Sequence, residues 1–302
     1  MAEASPPEAT PPEAIRHERM AGAGLTLHVA RAGRGEAPPV ILLHGFPEHW
    51  RSWRRQLPVL AAAGHSVLAP DLRGYDRSDR PASRRAYHLR HLVDDVAALV
   101  RATGHARAHV VGHDWGGLIA WAFAGAYPEL LDRLVVMNAP HLELYLREVR
   151  RPPQLFMSWY VLFFQLPRLP ELALARRDFA AVRRVLRYGP RRRDAFSAED
   201  VEAYVDALRP PGALTAALDY YRVNMRPSGA RLARRARTDA ETLVIWGEQD
   251  RALSTRLLDG LERVAPRVRV ERIPEAGHWV QNEAPERVNR LLVDFLAPRS
   301  DG

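Results

Sequence analysis

The stretch Val110-Val111-Gly112-His113-Asp114-Trp115-Gly116-Gly117 constrains the fold more than any other part of this chain. An apolar strand candidate runs into a Gly-x-Asp-x-Gly turn, and the turn runs directly into a helix-forming segment, 118–127. Gly112 and Gly116 flank the turn because so sharp a strand-to-helix reversal brings backbones too close for side chains. The turn lifts Asp114 out of the sheet and points a helix N-terminus at it, which favours a carboxylate. Taken alone, the pattern also fits an ordinary strand–helix turn with a capping Asp.

From about residue 25 onward, short apolar runs alternate with amphipathic stretches. The runs at 25–30, 40–43, 66–70, 109–112, 134–137, 243–246 and 268–273 are mostly too short for buried helices and are bounded by Gly, Pro or Asp, which predicts strands. Segments 51–63, 89–103, 116–127, 255–264 and 286–295 read as amphipathic helices. This alternation predicts an α/β class with a mostly parallel sheet covered on both faces. It fails over 141–226, where helix-like, Arg-rich sequence is punctuated by Pro152-Pro153, Pro167, Pro170 and Pro210-Pro211. The expectation is a helical cap at 141–226 inserted into a core built from 15–140 and 227–302.

With 302 residues and 47% hydrophobic content, the chain has enough material for a large core and a cap. No apolar stretch approaches the ~20 residues of a membrane span. Residues 1–14 alternate Pro, Glu and Ala without the basic and apolar regions of a signal peptide, and predict a disordered tail. Cysteine is absent, which excludes disulfides, thiolate metal sites and thiol nucleophiles, and a cytoplasmic location is expected. The formal charge is +8, and every basic residue is Arg. Between residues 147 and 193, twelve Arg stand against Glu148, Glu171 and Asp178. That excess reads first as a solvated helical face, with attraction of an anionic ligand or surface as the alternative. No nucleic-acid motif accompanies it.

Three further positions fit chemistry around Asp114. His44-Gly45-Phe46-Pro47 closes the strand candidate at 40–43, and the backbone N–H groups of Phe46 and Trp115 would converge on an oxyanion. Asp250 follows the strand candidate at 243–246, and His278 lies between the last strand and the last helix. The chain order is then nucleophile, acid, histidine, all at strand ends on the ligand-binding edge of a parallel sheet. Glu248 is the rival acid. An aspartate carboxyl ordinarily titrates near pH ~3.9, so it is ionised at neutral pH and needs no base for its attack. It suits displacement at an sp3 carbon, giving an alkyl ester, whereas attack on a carbonyl would give an anhydride. His278, oriented by Asp250, would then activate water against the ester. The electrophile is an epoxide, a haloalkane or a haloacid.

His44-Gly45-Phe46-Pro47-Glu48, Asp71-Leu72-Arg73-Gly74, Gly112-His113-Asp114-Trp115-Gly116-Gly117, Asn138-Ala139-Pro140-His141 and Gly277-His278-Trp279 together resemble the motifs of the epoxide hydrolase branch of the α/β-hydrolase superfamily. The resemblance covers roughly residues 20 to 298. It implies an α/β-hydrolase fold, no cofactor, no metal, and hydrolysis of an epoxide to a vicinal diol. It also implies two cap tyrosines that hydrogen-bond the epoxide oxygen as general acids. Trp159-Tyr160-Val161-Leu162-Phe163-Phe164-Gln165 points to Tyr160, and Leu218-Asp219-Tyr220-Tyr221-Arg222 points to Tyr221, with Tyr220 the alternative. The chemistry agrees, since an opening epoxide leaves as an alkoxide that demands an acid, whereas halide leaves without a proton. Buried tyrosines also simply pack in cores.

The expected pocket is lined by His44, Pro47, Trp159, Phe164 and Trp279, apolar enough for a small lipophilic or aryl epoxide. Asp76 departs from the resemblance, standing where Gly is usual, though Asp tolerates left-handed turns. Haloalkane dehalogenases would place Asn after His44-Gly45, where Phe46 stands. Fluoroacetate-type enzymes would place Arg at the positions of Trp115 and Leu118. A ligand-binding protein with an idle pocket is the non-enzymatic alternative. No nucleic-acid partner is expected, and a homodimer is left open.

Overall fold

The computed structural model describes residues 15–35, 37–225 and 236–298, so the tail expected over 1–14 lies outside the described residues. The strands are β1 (Arg16–Ala21), β2 (Thr26–Ala32), β3 (Val40–Leu43), β4 (Val67–Pro70), β5 (Ala108–His113), β6 (Leu131–Met137), β7 (Glu241–Gly247) and β8 (Val268–Ile273). They form one sheet in the order β1-β2-β4-β3-β5-β6-β7-β8. β2 pairs antiparallel with β1 and β4, and the other neighbours are parallel. Every residue of β3, β4 and β5 is buried, as continuous apolar strands covered on both faces must be. All seven predicted strands are present. The eighth, β1, reads RHERMA; its mostly charged, exposed pattern gives no apolar alternation and suits a sheet edge.

The pleat sends alternate residues to opposite faces. Val110, Leu134, Val136 and Val244 pack on one side with α2 (Leu89–Ala102) and α3 (Trp115–Ala126). Val111, Val135, Leu243 and Ile245 pack on the other, against Leu57 and Leu60 of α1 (Leu57–Ala62) and the C-terminal helix. The predicted helix at 255–264 is instead two 3-10 turns, Thr255–Leu258 and Leu261–Arg263. Gly260 between them has φ of 93°, a left-handed conformation that stops helix propagation. The segment 51–63 likewise divides into a 3-10 turn, Trp50–Trp53, and α1.

Between β6 and β7 the described residues form helices only: α4 (Leu142–Glu148), α5 (Gln154–Met157), α6 (Trp159–Phe163), α7 (Leu169–Tyr188), α8 (Ala198–Leu208) and α9 (Ala213–Asn224). α7 is broken at Arg176–Phe179, where Arg177, Asp178 and Phe179 have φ of 50°, 54° and 59°. α8 opens with a capping box in which Ser197 and Asp200 satisfy each other's backbone N–H groups. The Asp200 carboxylate also accepts from Arg51 at 2.8 Å and Arg54 at 2.6 Å, which ties this cap to the core. Two helices, α10 (Val280–Glu283) and α11 (Pro285–Leu296), end the described chain. No described helix is long and apolar enough to cross a membrane.

Candidate active site

Asp114 follows β5 directly and opens α3, with φ of 51° and ψ of −118°. Few non-glycine residues adopt such a backbone, and holding it requires close neighbours. A Cβ built on Gly112 would lie 2.2 Å from the Gly116 carbonyl oxygen, and one on Gly45 would lie 2.4 Å from the Asp114 Cβ. Glycine at both positions lets the three backbones approach. The Phe46 N–H donates to Asp114 Oδ1 at 2.8 Å. Trp115 is the first residue of α3, where an amide has no acceptor within the helix.

Asp114 Oδ2 lies 3.6 Å from His278 Nε2. On its other side, His278 Nδ1 donates to Asp250 Oδ2 at 2.7 Å. Asp250 is fixed in turn: Oδ1 accepts from the amides of Ala252 (2.7 Å) and Leu253 (3.0 Å), and Oδ2 accepts from Asn138 Nδ2 at 2.8 Å. Glu248, the rival acid, instead meets Arg272 on the surface at 3.2 Å. Burial opposes charge at all three groups, and their mutual attraction overrides it. Despite burial, the hydrogen bond and charge of His278 hold the Asp114 carboxyl below the usual carboxylate range. Despite burial, the charge and hydrogen bond of His278 lower Asp250 as well. Burial would lower His278, but Asp250 and Asp114 raise it well above an ordinary histidine. Each carboxylate therefore favours the charged form of the imidazole between them, and that charge in turn favours both carboxylates.

Supporting residues emerge that carried no role in the sequence reading. Asn138 bridges Asp250 and the backbone of Gly247, accepting the Gly247 N–H at 2.8 Å. His113 Nδ1 lies 2.9 Å from the Glu48 carboxylate, and its Nε2 lies 2.9 Å from the carbonyl of His278. Glu48 also accepts from the Gly45 amide (3.1 Å) and the Ser52 hydroxyl (2.6 Å), so one buried carboxylate joins the β3 turn to the His278 loop. Glu283 accepts from the amides of Gly277 (3.0 Å), Trp279 (3.1 Å) and, in the cap segment, Arg191 (2.6 Å). Asn138 and Glu48 stand inside motifs quoted above, which was the available signal; Glu283 had none. Elsewhere, His49, Asp71 and Asp76 hold ligand-type atoms within 4.8 Å of one another. Asp71 is already occupied by His28 at 2.6 Å and the Trp50 amide at 3.0 Å. Asp76 takes φ of 38°.

A cavity of about 330 Å3 is lined by Asp114 and His278 and, from the helices between β6 and β7, by Tyr160 and Tyr221 among its other walls. Pro47, Trp159, Phe164 and Trp279 line it as expected, and Phe46 joins them. His44 does not. It is fully buried, its Nδ1 donating to the Gly45 carbonyl (2.9 Å) and its Nε2 accepting from the Leu72 amide (3.0 Å), so it shapes the β3 turn from beneath. The rings of Tyr160 and Tyr221 stand 6.1 Å apart. Tyr220, the alternative to Tyr221, donates its hydroxyl to the Arg73 carbonyl at 2.8 Å and faces away. Burial, then Tyr145 and the Asp114 carboxylate, push the Tyr160 hydroxyl well above its ordinary value. Burial, then Asp114, do the same to Tyr221. Both stay protonated and able to donate.

A family model described as alpha/beta hydrolase fold matches residues 38–285. The AB hydrolase superfamily protein YfhM of Bacillus subtilis (strain 168) is 40% identical, over 90% of this chain and 95% of that protein. Epoxide hydrolase 3 of Xenopus tropicalis is 39% identical, over 92% of this chain and 76% of that protein. Among solved structures, the Bacillus megaterium epoxide hydrolase in complex with an inhibitor is similar with a TM-score of 0.81 at 30% identity, over 93% of this chain and 100% of that one.

Proposed function

Because this chain belongs to the α/β-hydrolase fold family, with epoxide hydrolases among its relatives, we propose that it hydrolyses lipophilic epoxides to vicinal diols through an ester on Asp114. The observation that carries this reading is the meeting of Asp114, His278, Tyr160 and Tyr221 on one apolar cavity. Phe46 holds Asp114 Oδ1, which leaves Oδ2 to attack the less hindered epoxide carbon. As that C–O bond forms, the ring C–O bond breaks and the alkoxide takes a proton from Tyr160 or Tyr221. Asp114 is now a neutral ester, so His278 has lost one of the two carboxylates that support its charge. Its second proton passes to the tyrosinate, directly or through water, and the imidazole becomes a base.

Neutral His278 then takes a proton from water, and the hydroxide attacks the ester carbonyl. The amides of Phe46 and Trp115 would hold the oxyanion. Collapse breaks the acyl C–O bond, the departing diol oxygen takes the acid proton, and the carboxylate–imidazolium pair is restored. Water is the only co-reactant.

Single turnover in heavy-oxygen water tests this reading. Asp114 should acquire the label and the first diol should stay unlabelled, because its new oxygen comes from the enzyme. His278→Gln should still form the ester, visible as enzyme plus one substrate by intact mass, and fail to release it. Label found directly in the diol, with none in the enzyme, would make water the nucleophile and sink the assignment. Bromide release from 1-bromobutane with no opening of styrene oxide would make the enzyme a dehalogenase.

A further inference from the structure

The helices between β6 and β7 carry an exposed apolar surface, most of which lies outside the cavity that holds Asp114. Phe156, Trp159, Leu162 and Leu172 are 70%, 65%, 71% and 69% exposed. All the large exposed apolar side chains among the described residues fall between 155 and 188. Single exposed leucines are ordinary, whereas a concentration of this kind marks a contact surface. The spacing accounts for it: 155, 159, 162 and 166 follow helical periodicity along α5, α6 and the turn after them. Tyr160, Phe163 and Phe164 of the same segment line the cavity. The segment is therefore apolar toward solvent as well as toward the cavity.

Charge indicates what covers this face. Arg150, Arg168, Arg176, Arg177 and Arg184 are exposed and have no ion-pair partner among the described residues. Arg183 and Arg209, farther along the cap, are by contrast neutralised by Glu202 and Asp178. Arg168 immediately precedes the exposed turn of α7, and Arg176 and Arg177 end it. Arg184 lines an outer chamber of about 430 Å3 together with Trp159, Val185 and Tyr188, and that chamber shares Tyr160 and His278 with the catalytic cavity. The exposed apolar face thus reaches the entrance through Trp159, Val185 and Tyr188. A second copy docked by two-fold symmetry would set these arginines against themselves. An anionic lipid surface offers the opposite charge and an apolar interior.

We propose that α5, α6 and the first half of α7 dock on an anionic membrane surface, with the cavity entrance facing the bilayer. A lipophilic substrate dissolved in the acyl chains would then reach Asp114 without crossing water. This docking goes beyond the catalytic reading and stands independently of it, because its test measures binding. The full chain should sediment with vesicles of equal phosphatidylglycerol and phosphatidylcholine, much less with phosphatidylcholine alone, and less again as salt rises. Phe156→Asp with Leu162→Asp should reduce partition by about tenfold or more, since both side chains lose apolar burial. Arg168→Gln with Arg176→Gln should reduce it roughly fivefold per arginine. Both double variants should keep wild-type circular dichroism and turn over a water-soluble substrate normally. Absence of vesicle binding, or binding that neither double variant weakens, would overturn the proposal. So would a dimer in sedimentation velocity that Leu162→Asp dissociates, with no wild-type sedimentation on vesicles, which would assign this face to self-association.

Discussion

At the scale of single residues, the two carboxylates bracketing His278 set the pH behaviour of the proposed reaction. Asp114 is held below the ordinary carboxylate range, so it is ionised across the neutral range. Tyr160 and Tyr221 are held well above theirs, so they remain acids. Ester formation, and with it kcat/KM, should therefore be flat between about pH 6 and pH 9. Ester hydrolysis behaves differently, because it needs His278 neutral after Asp114 has lost its charge. Its rate should rise with pH through the histidine range and then level off. Stopped-flow tryptophan fluorescence, followed across pH in single turnovers, separates the two phases. A hydrolysis phase that falls as pH rises would mean that His278 works as an acid there. The proposed triad of Asp114, Asp250 and His278 was legible because each member sits in a short local motif at a strand end. Asn138 and Glu48 were visible as motif members but without roles, since their partners Asp250 and His113 are 112 and 65 residues away in sequence. His44 was expected in the pocket, and only the fold shows its ring turned under the β3 turn toward Leu72.

Among the elements, the helices between β6 and β7 share one apolar cluster with the sheet, in which Tyr220 packs on Tyr75 and Trp115, and a small set of charged contacts adds to it. Asp200, nearly fully buried at the start of α8, accepts from Arg51, Arg54 and the Ser197 amide at once. Removing one member of a buried, hydrogen-bonded ion pair leaves the other charges uncompensated, at a cost of roughly 3 kcal/mol. Asp200→Ala should lower unfolding free energy by about that amount in urea titrations, and Ser197→Ala by about 1 kcal/mol through loss of the cap alone. Equal losses in the two variants would show that the arginines contribute nothing beyond capping. The other seven strands could be read from short runs bounded by turn residues, and most plainly β3 and β4, where burial on two faces demands uninterrupted apolar sequence. The rest could not. β1 is charged and lies at an edge, where pairing with β2 decides its conformation rather than its own side chains. The turns at 255–263 are set by one left-handed glycine, and the break in α7 by three consecutive left-handed residues with no sequence mark.

For the molecule as a whole, the meeting of sheet and cap leaves unequal space on the two sides of Asp114. Toward the entrance lies the cavity of about 330 Å3. On the far side, between Leu118, Leu142, Val161 and Met225, the cleft that also reaches Asp114 is only about 30 Å3, scarcely one water. An epoxide presented to Asp114 must place one ring carbon toward each side. One substituent can therefore be an aryl or long alkyl group, while the other must be hydrogen or about the size of a methyl. Terminal aryl epoxides should be turned over far better than trans-epoxides with two bulky groups, with kcat/KM differing by about 100-fold or more, since a substituent that does not fit forfeits several kcal/mol of binding. Leu142→Ala opens the small side at a stability cost of roughly 2–5 kcal/mol. Assayed well below its lowered melting temperature, that variant should gain activity on the disubstituted substrate and change little on the terminal one. Chiral chromatography of the diols supplies a second readout, because widening the small side should also blur which ring carbon is attacked. Wild-type preference for the bulky trans-epoxide, or a Leu142→Ala variant unchanged toward it, would show that the two chambers do not divide the substrate at Asp114.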